Sequence, residues 1–362
     1  MKITLLAPYY GGSHRAWVDG FTQHTRHDVH CITLPAQFWK WRMQGGAVTL
    51  ARRYLELAPE PDVIIASDMM DVSIFRAITR TSRPIALYFH ENQLTYPQNQ
   101  RQGHGWRYGF INYASALAAD RLYFNSAFHR DSFFEALPRM LKHFGDYNEL
   151  ETVAILRDKA QVLPLGLALK RFDTYRSASR PHDNAVILWN HRWESEKNPQ
   201  AFFDALYALD AEGIAFDVIL AGENVRRDPQ EFSQARAHFG KRILHYGYAD
   251  AFADYAQLLW QADYVVSPSY QDFFGIAVAE AIYCGCIPLL ADRLNYPYLL
   301  PQSYHHTCLF RDGALTGLLR QHLLGHYSVD TTALRNHIAQ YDWTTMIDQY
   351  DAMFDDLAQA TD

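Results

Sequence analysis

The sequence predicts an α/β protein made of two doubly wound domains, each built on a parallel sheet. Three observations predict it. At 362 residues the chain exceeds the size to which a single hydrophobic core grows, so two domains are expected. Short apolar and β-branched runs alternate with helical patterns, as parallel strands joined by crossover helices do. A polar stretch near the middle interrupts this rhythm, which then restarts.

In the first half the expected strands are KITLLAP, DVHCITL, DVIIAS, IALYFH, RLYFN and QVLPLG, with helix-like segments between them. The stretch KRFDTYRSASRPHD is polar and carries Pro and Ser, so residues 171–183 are read as a linker after a first domain over residues 1–170. In the second half AVILWN, FDVILAG, RILHYG, DYVVSPS and CIPLL are five further strands, giving a second domain over residues 184–340. Its first helix is PQAFFDALYALDAEG, with Asn198 as N-cap and Pro199 at the first helical position. DWTTMIDQYDAMFDDLA carries apolar residues at helical spacing and predicts a C-terminal helix within residues 341–362.

Composition narrows the class. Half the residues are hydrophobic and 20% are charged, which excludes disorder as the main state. The formal net charge of -7 gives no global basic field, so a nucleic-acid partner would have to be held by local patches. Cys31, Cys284, Cys286 and Cys308 are too scattered for a disulfide scaffold or a paired zinc motif, and a reducing cytoplasm is expected. The N-terminal MKITLLAPYYGG reads as a first strand entering a glycine turn, its apolar run being too short for a signal peptide. No stretch approaches the roughly 20 apolar residues that cross a bilayer, so no membrane partner is expected.

The stretch YQDFFGIAVAEAIYCGCIPLL holds an acid in an apolar helix. A strand ends near Ser269, Gly275 permits close backbone approach, and a helix runs from about Ile276 to Cys284 before Gly285 ends it. The N-terminal amides of that helix form an anion site, which includes Phe274, Gly275 and Ile276. Glu280, flanked by Ala, Val, Ile and Tyr, requires a partner, because burying an unpaired carboxylate is expensive. A ribose diol would serve, and so would an internal ion pair with Arg or Lys. In LWNHRWESEKNP, Arg192 and Lys197 lie five apart in a loop after a strand and could reach one diphosphate; a solvated charged loop is the alternative. No G-x-x-x-x-G-K-[ST] occurs, and no G-x-G-x-x-G follows the first strand, which argues against a P-loop NTPase and an ordinary dehydrogenase.

Asp272-x7-Glu280 around FFGI, followed by CGCIPLL, resembles the E-x7-E donor motif of retaining family 4 glycosyltransferases, and Arg192 with Lys197 is similar to their R-x4-K pair. The resemblance implies the GT-B fold, in which two Rossmann-like domains face a cleft and the C-terminal helix packs back on the first. It also implies a nucleotide-sugar donor, with Glu280 on the ribose, Arg192 and Lys197 on the diphosphate, and Asp272 near the sugar. Asp272 stands where Glu is usual, one methylene shorter. APYYGGSHRAW, FWKWRM, SDMMDVS and FHENQLTYP, with WNHRWESEKNP, are similar to the tRNA-queuosine mannosyltransferases through nearly the whole chain, in order.

That second resemblance implies retaining transfer of mannose from GDP-mannose to queuosine in the anticodon of tRNA-Asp, with no cofactor. The catalytic set it implies is His90, Arg192, Lys197 and Asp272. Gly12, Asn190 and His191 join the donor residues Arg192, Lys197, Phe274, Gly275, Ile276 and Glu280. The acceptor set is Ser13, His14, Trp39, Lys40, Arg42, Asp68, Glu91, Asn92, Gln93 and Tyr96. Two alternatives stay open: a family 4 transferase with a lipid or other small acceptor, and a catalytically inactive tRNA-binding protein of the same fold.

The residues also have readings of their own. GGSH is a strand-to-helix turn in which Ser13 can cap the helix, or simply a turn. In FHENQ, His90, Glu91, Asn92 and Gln93 emerge where a strand ends and suit a polyhydroxylated ligand, or else cap a loop. QFWKWRMQGGAVTLARRYL interleaves Trp39 and Trp41 with Lys40, Arg42, Arg52 and Arg53 and has no acid until Glu56. It could meet phosphate and stack on an unpaired base, although tryptophans are more often core. In HTRHDVH the three histidines pass from a helix end into a strand, which separates their side chains and argues against zinc. No D-x-D occurs, so transfer without a metal is expected.

Overall fold

A computed structural model of the chain describes residues 1–96, 105–143, 145–176, 182–223 and 229–360. The chain divides into two compact units, Met1–Leu167 with Trp343–Asp362, and Ala168–Asp342.

The first unit is built on six parallel strands: β1 (Lys2–Tyr10), β2 (Asp28–Pro35), β3 (Val63–Ser67), β4 (Ile85–Phe89), β5 (Arg121–Phe124) and β6 (Ala160–Val162). Their order is β2-β1-β3-β4-β5-β6, with Ile3 opposite Val63 and Ile64 opposite Ile85. Every residue of β3 and of β4 is buried, as in a sheet covered by helices on both faces, and this is why VIIAS and IALYF read as continuous apolar runs. The chain reverses its direction of winding between β1 and β3, where such sheets bind ligands beyond the carboxyl ends of the strands.

The C-terminal helix, Trp343–Gln359, belongs to this unit. Trp343, Met346, Tyr350, Phe354 and Leu357 recur at helical spacing and form its buried stripe. The Trp343 indole lies against two glycines: a Cβ on Gly20 would sit 2.0 Å from its Nε1, and one on Gly166 would sit 2.3 Å from its Cε3. The Tyr350 hydroxyl donates to the Pro164 carbonyl at 2.7 Å and accepts from the Trp17 indole at 2.9 Å. Buried Asp351 receives the Thr25 hydroxyl at 2.5 Å and the Arg26 backbone N–H at 3.1 Å.

The second unit carries β7 (Val186–Asn190), β8 (Asp217–Ala221), β9 (Ile243–Gly247), β10 (Tyr264–Ser267), β11 (Ile287–Ala291) and β12 (Leu309–Phe310), ordered β12-β11-β10-β7-β8-β9. All its pairings are parallel, and winding reverses between β7 and β10. β12 has two residues, too few to carry a period that sequence reading could detect.

Several expectations are corrected. Residues Lys170–Tyr175 form a 3-10 helix in the second unit instead of linker, because Phe172 is buried against Phe252 and its carbonyl accepts the Trp260 indole N–H at 2.8 Å. Residues 177–181 of the expected linker lie outside the described residues. Ser13 does not cap the helix Gly12–His24; the N-cap is Gly11 and no side chain bonds there. Asn198 does occupy the N-cap of the helix Pro199–Ala211, but its side chain donates to the Pro268 carbonyl at 3.3 Å instead of capping. His24 ends a helix and His30 lies in β2, while His27 approaches Asp351 and Asp355 at 3.6 Å each. Among the described residues no helix is long and apolar enough to cross a membrane.

Candidate functional site

In the second unit the site grows from the carboxyl ends of β7 and β10. β7 ends at Asn190, and its following loop carries Lys197 on a short 3-10 turn, Ser195–Lys197. Asn198, in the left-handed conformation at φ +56°, starts the next helix and ties the loop to Pro268, just beyond β10. Lys197 is therefore aimed across the sheet edge. Its Nζ donates to the Gln271 carbonyl at 2.7 Å and lies 3.5 Å from Asp272 Oδ2. The same carboxylate oxygen accepts the Tyr296 hydroxyl at 3.1 Å, and that hydroxyl lies 2.7 Å from Ser267 Oγ.

Gly275 has φ +98°, and a Cβ there would approach Leu299 to 2.9 Å, so a side chain is excluded twice over. The helix Ile276–Tyr283 that it opens has no side-chain cap, which leaves its first N–H groups to an anion. Glu280 sits one turn in. Its Oε2 accepts the Tyr255 hydroxyl at 2.7 Å, and among the described residues no ion pair to it forms. Burial pushes the Glu280 carboxyl up, against the Tyr255 hydrogen bond and the more distant Arg171 charge, which hold it down. A carboxylate offers about four acceptor positions, so one hydroxyl leaves it room for a diol.

Asn190 completes this corner. Its Nδ2 donates to the Ala277 carbonyl at 2.8 Å and reaches the Tyr255 hydroxyl at 3.4 Å, and its buried Oδ1 has no hydrogen-bond partner among the described residues. His191 is buried beside it, its Nε2 without a hydrogen-bond partner among the described residues, and burial, reinforced by the Lys197 charge, lowers its imidazole to about 3. Arg192 is half-exposed and held by acids of its own loop, Glu194 at 3.1 Å and Glu196 at 3.9 Å. Burial and the neighbouring Glu196 push Glu194 up to about 7, while Arg192 opposes the shift.

The structure thus gathers Asn190, His191, Lys197, Asp272, Phe274, Gly275, Ile276 and Glu280 at one sheet edge and sets Arg192 in the flanking loop. Gly12, with φ +52°, belongs to the other unit. Sequence reading missed Tyr255, Tyr296 and Glu194. The two tyrosines lie in ordinary helical segments whose spacing carries no signal.

The first unit has a polar centre at the carboxyl ends of β1, β3 and β4. His14 comes from the helix after β1, Asp68 follows β3, and His90 follows β4. The His90 backbone N–H donates to Asp68 Oδ1 at 2.9 Å, and the His14 and His90 rings lie 4.3 Å apart. Trp17 and Tyr88 flank His90, with ring centroids 4.9 and 4.8 Å away. Burial lowers His14 to about 4 and holds His90 well below the ordinary histidine range. Asp68, fully buried, is raised well above the carboxylate range by burial and then by the Glu91 charge.

Asn92 Oδ1 holds the following turn by accepting from the Leu94 and Thr95 backbones at 3.1 and 3.0 Å. Gln93 donates to Glu91 at 2.7 Å through its side chain and to Asn112 Oδ1 at 2.8 Å through its backbone. His14 Nδ1, Asp68 Oδ2, His90 Nε2 and Asn92 Nδ2 are buried polar atoms with no hydrogen-bond partner among the described residues. Such groups are ordinarily paired, and four together suit a ligand rich in hydroxyls. Ser13 is exposed and Tyr96 half-buried near this centre in sequence. Trp39 is half-buried: its ring lies 5.2 Å from that of Tyr108 and packs on the cluster of Met43, Met69 and Tyr108.

Comparison with known proteins agrees with this organisation. A family model described as the tRNA-queuosine alpha-mannosyltransferase N-terminal region matches residues 2–167, and a model of glycosyl transferases group 1 matches residues 171–305. A tRNA-queuosine alpha-mannosyltransferase of Drosophila melanogaster is 31% identical over 83% of this chain and 82% of its own. A GDP-mannose:cellobiosyl-diphosphopolyprenol alpha-mannosyltransferase of Xanthomonas campestris is 22% identical over 67% of this chain and 64% of its own. Among solved structures, HepE of Anabaena in complex with UDP and glucose is 18% identical with a TM-score of 0.69, covering 98% of this chain and 100% of its own. Sucrose-phosphate synthase of Thermosynechococcus elongatus is 15% identical with a TM-score of 0.70, over 99% and 100%. At these identities the solved structures show the fold alone, which is GT-B.

Proposed function

The chain belongs to the tRNA-queuosine alpha-mannosyltransferase family, and on that premise we propose that it transfers mannose from GDP-mannose, with retention, to queuosine in the anticodon of tRNA-Asp. The observation that carries the donor half is the Glu280–Tyr255 hydrogen bond, which supports a carboxylate kept for a ribose instead of spent on an internal cation. In this reading the diphosphate lies against Lys197 and the N-terminal amides of the helix Ile276–Tyr283, with Arg192 joining from its loop. These groups stabilise the charge that develops on the leaving β-phosphate, and preorganised charge of this kind is the largest single contribution to many enzymatic rates. The C1–O bond to phosphate breaks as the acceptor oxygen bonds to C1 on the same face, and the acceptor proton passes to a phosphate oxygen. With these cations in place the reading takes no metal.

The centre of His14, Asp68, His90 and Asn92 is proposed to hold hydroxyl-bearing groups of the acceptor. His90 remains neutral there and offers Nε2 as a hydrogen-bonding group. The test is incubation of the purified chain with radiolabelled GDP-mannose and total tRNA from cells that make queuosine and from cells that do not. Label is expected only in the queuosine-containing pool, in tRNA-Asp. Labelling of both pools, or of neither while lipid extract is labelled, would overturn the acceptor assignment.

A further inference from the structure

The segment Phe38–Gly46 has an arrangement that the proposed reaction does not use. Phe38 is 76% exposed and stands in the left-handed region at φ +51°, where a bulky L side chain is strained. Trp41 is 62% exposed. Residues Arg42–Gly46 then form a π-helical turn, a local irregularity that is frequent at functional sites. Its Gly45 is a seat: a Cβ there would lie 2.5 Å from Trp41 Cζ2 and 2.6 Å from Cε2, so only glycine lets the indole lie flat on the backbone. One face of Trp41 is therefore fixed against the protein. The indole is still largely exposed to solvent.

The charges along this segment have one sign. Between Asp28 and Glu56 the sequence contains no acid, although the chain as a whole carries a net charge of -7. Arg42 is anchored by two N–H bonds to the Pro35 carbonyl, each 3.2 Å, which fixes its guanidinium at the end of β2. Lys40 is exposed, with Nζ 5.7 Å from the Trp39 ring centre. Arg107, exposed on the helix Gly105–Ala118, donates to Gln44 within the π-helical turn and adds a third cation. A rigid planar ring among cations matches a base beside its own phosphates: every base has a stackable face, and the backbone carries the opposite charge.

We propose that Trp41, seated on Gly45 and flanked by Phe38, is a stacking platform for an unpaired base of the RNA acceptor, with Lys40, Arg42 and Arg107 on the adjoining phosphates. This inference rests on the tRNA-acceptor reading above. It adds that the surface selects a loop over a duplex, and it places the stacking role on Trp41, the more exposed of the two rings.

The test measures binding of the full-length protein to a fluorescein-labelled anticodon stem–loop and to a blunt RNA duplex of the same length. Trp41→Ala is expected to weaken stem–loop binding about tenfold or more and to leave duplex binding unchanged, whereas Trp41→Phe retains most of the affinity. Lys40→Ala is expected to weaken both probes and reduce the slope of log K against log salt by about one, a slope that Trp41→Ala does not change. Titration with GDP-mannose checks that each variant is folded. Wild-type affinity of Trp41→Ala for the stem–loop, in a protein that still labels tRNA, overturns the platform alone. A wild-type protein that neither binds RNA nor labels tRNA overturns both readings. Trp41-dependent sedimentation with phosphatidylserine vesicles, without RNA binding, would make the surface a membrane contact and overturn the platform.

Discussion

The Tyr255 hydroxyl stands 2.7 Å from Glu280 Oε2 and joins two helices of the second unit, Phe252–Gln261 and Ile276–Tyr283, through one hydrogen bond. Burial raises the phenol well above its ordinary range, so the proton stays on Tyr255 and Glu280 Oε2 accepts it. Tyr255→Phe removes the donor and leaves a buried acid without it. The expected result is a loss of about 1–3 kcal/mol in stability and a donor Kd raised about tenfold, read by thermal unfolding and by titration with GDP-mannose. An unchanged donor Kd would remove Glu280 from the ribose.

Lys197 is mostly buried, paired with Asp272 and bonded to the Gln271 carbonyl, so its ammonium is fixed before any ligand arrives. Lys197→Ala is expected to lower kcat/KM by on the order of 10²-fold or more. Arg192→Ala is expected to cost about tenfold, because that guanidinium is half-exposed and already shared with Glu194 and Glu196, which screens it. Near-normal turnover in both variants would remove the diphosphate assignment.

Glu194, raised to about 7, makes Arg192 dependent on pH. Below that value Glu194 is neutral and the arginine charge is freer to meet phosphate; above it the carboxylate competes. A pH profile of kcat/KM should therefore decline above about pH 7, and Glu194→Gln should flatten that limb. The same shift acts on stability: between the ordinary glutamate range and about 7 the folded state holds a proton that the unfolded state has lost, so this group destabilises the fold as pH rises through that window.

The histidines act in the opposite sense. His14 at about 4, and His129 and His191 at about 3, stay neutral when folded, each because burial disfavours the charged ring. The unfolded chain takes up these protons near pH 6.5, so stability should fall as pH drops from about 6.5 towards 4. Urea titrations across that range check it. Replacing His129, which Asn125 joins to the His90 carbonyl, with Gln should reduce the slope.

Gly166→Ala would drive a methyl group into the Trp343 indole, where the Cβ would meet Cε3 at 2.3 Å. Overpacking of this kind typically costs about 1–3 kcal/mol, and here it should loosen the C-terminal helix from the first unit. Hydrogen exchange of Trp343–Gln359 and the thermal midpoint report it. An unchanged midpoint would show that the helix can shift to make room.

Much of the fold was legible because parallel strands buried on both faces must be apolar throughout; VIIAS, IALYF and VILWN announce themselves by composition alone. The spacing of Asp272 and Glu280 was legible too, since the strand end, the glycine and the first helical turn between them are local events. Trp39 and Trp41 were not separable by reading: residues two apart on a helical turn point in different directions, and only the cluster around Tyr108 decided which ring went in.

By itself, then, the sequence determined the two parallel sheets, the glycine that opens the helix before Glu280, and the chemical types present in each loop, all of which depend on neighbours in the chain. Tertiary structure alone decided that Lys197 meets Asp272, that Tyr255 meets Glu280, and that His14, Asp68 and His90 gather from three strand ends. The physical reason is range. Propensity and periodicity act over a few residues, whereas these partners lie from 22 to 76 positions apart and are joined only by the order in which the strands assemble.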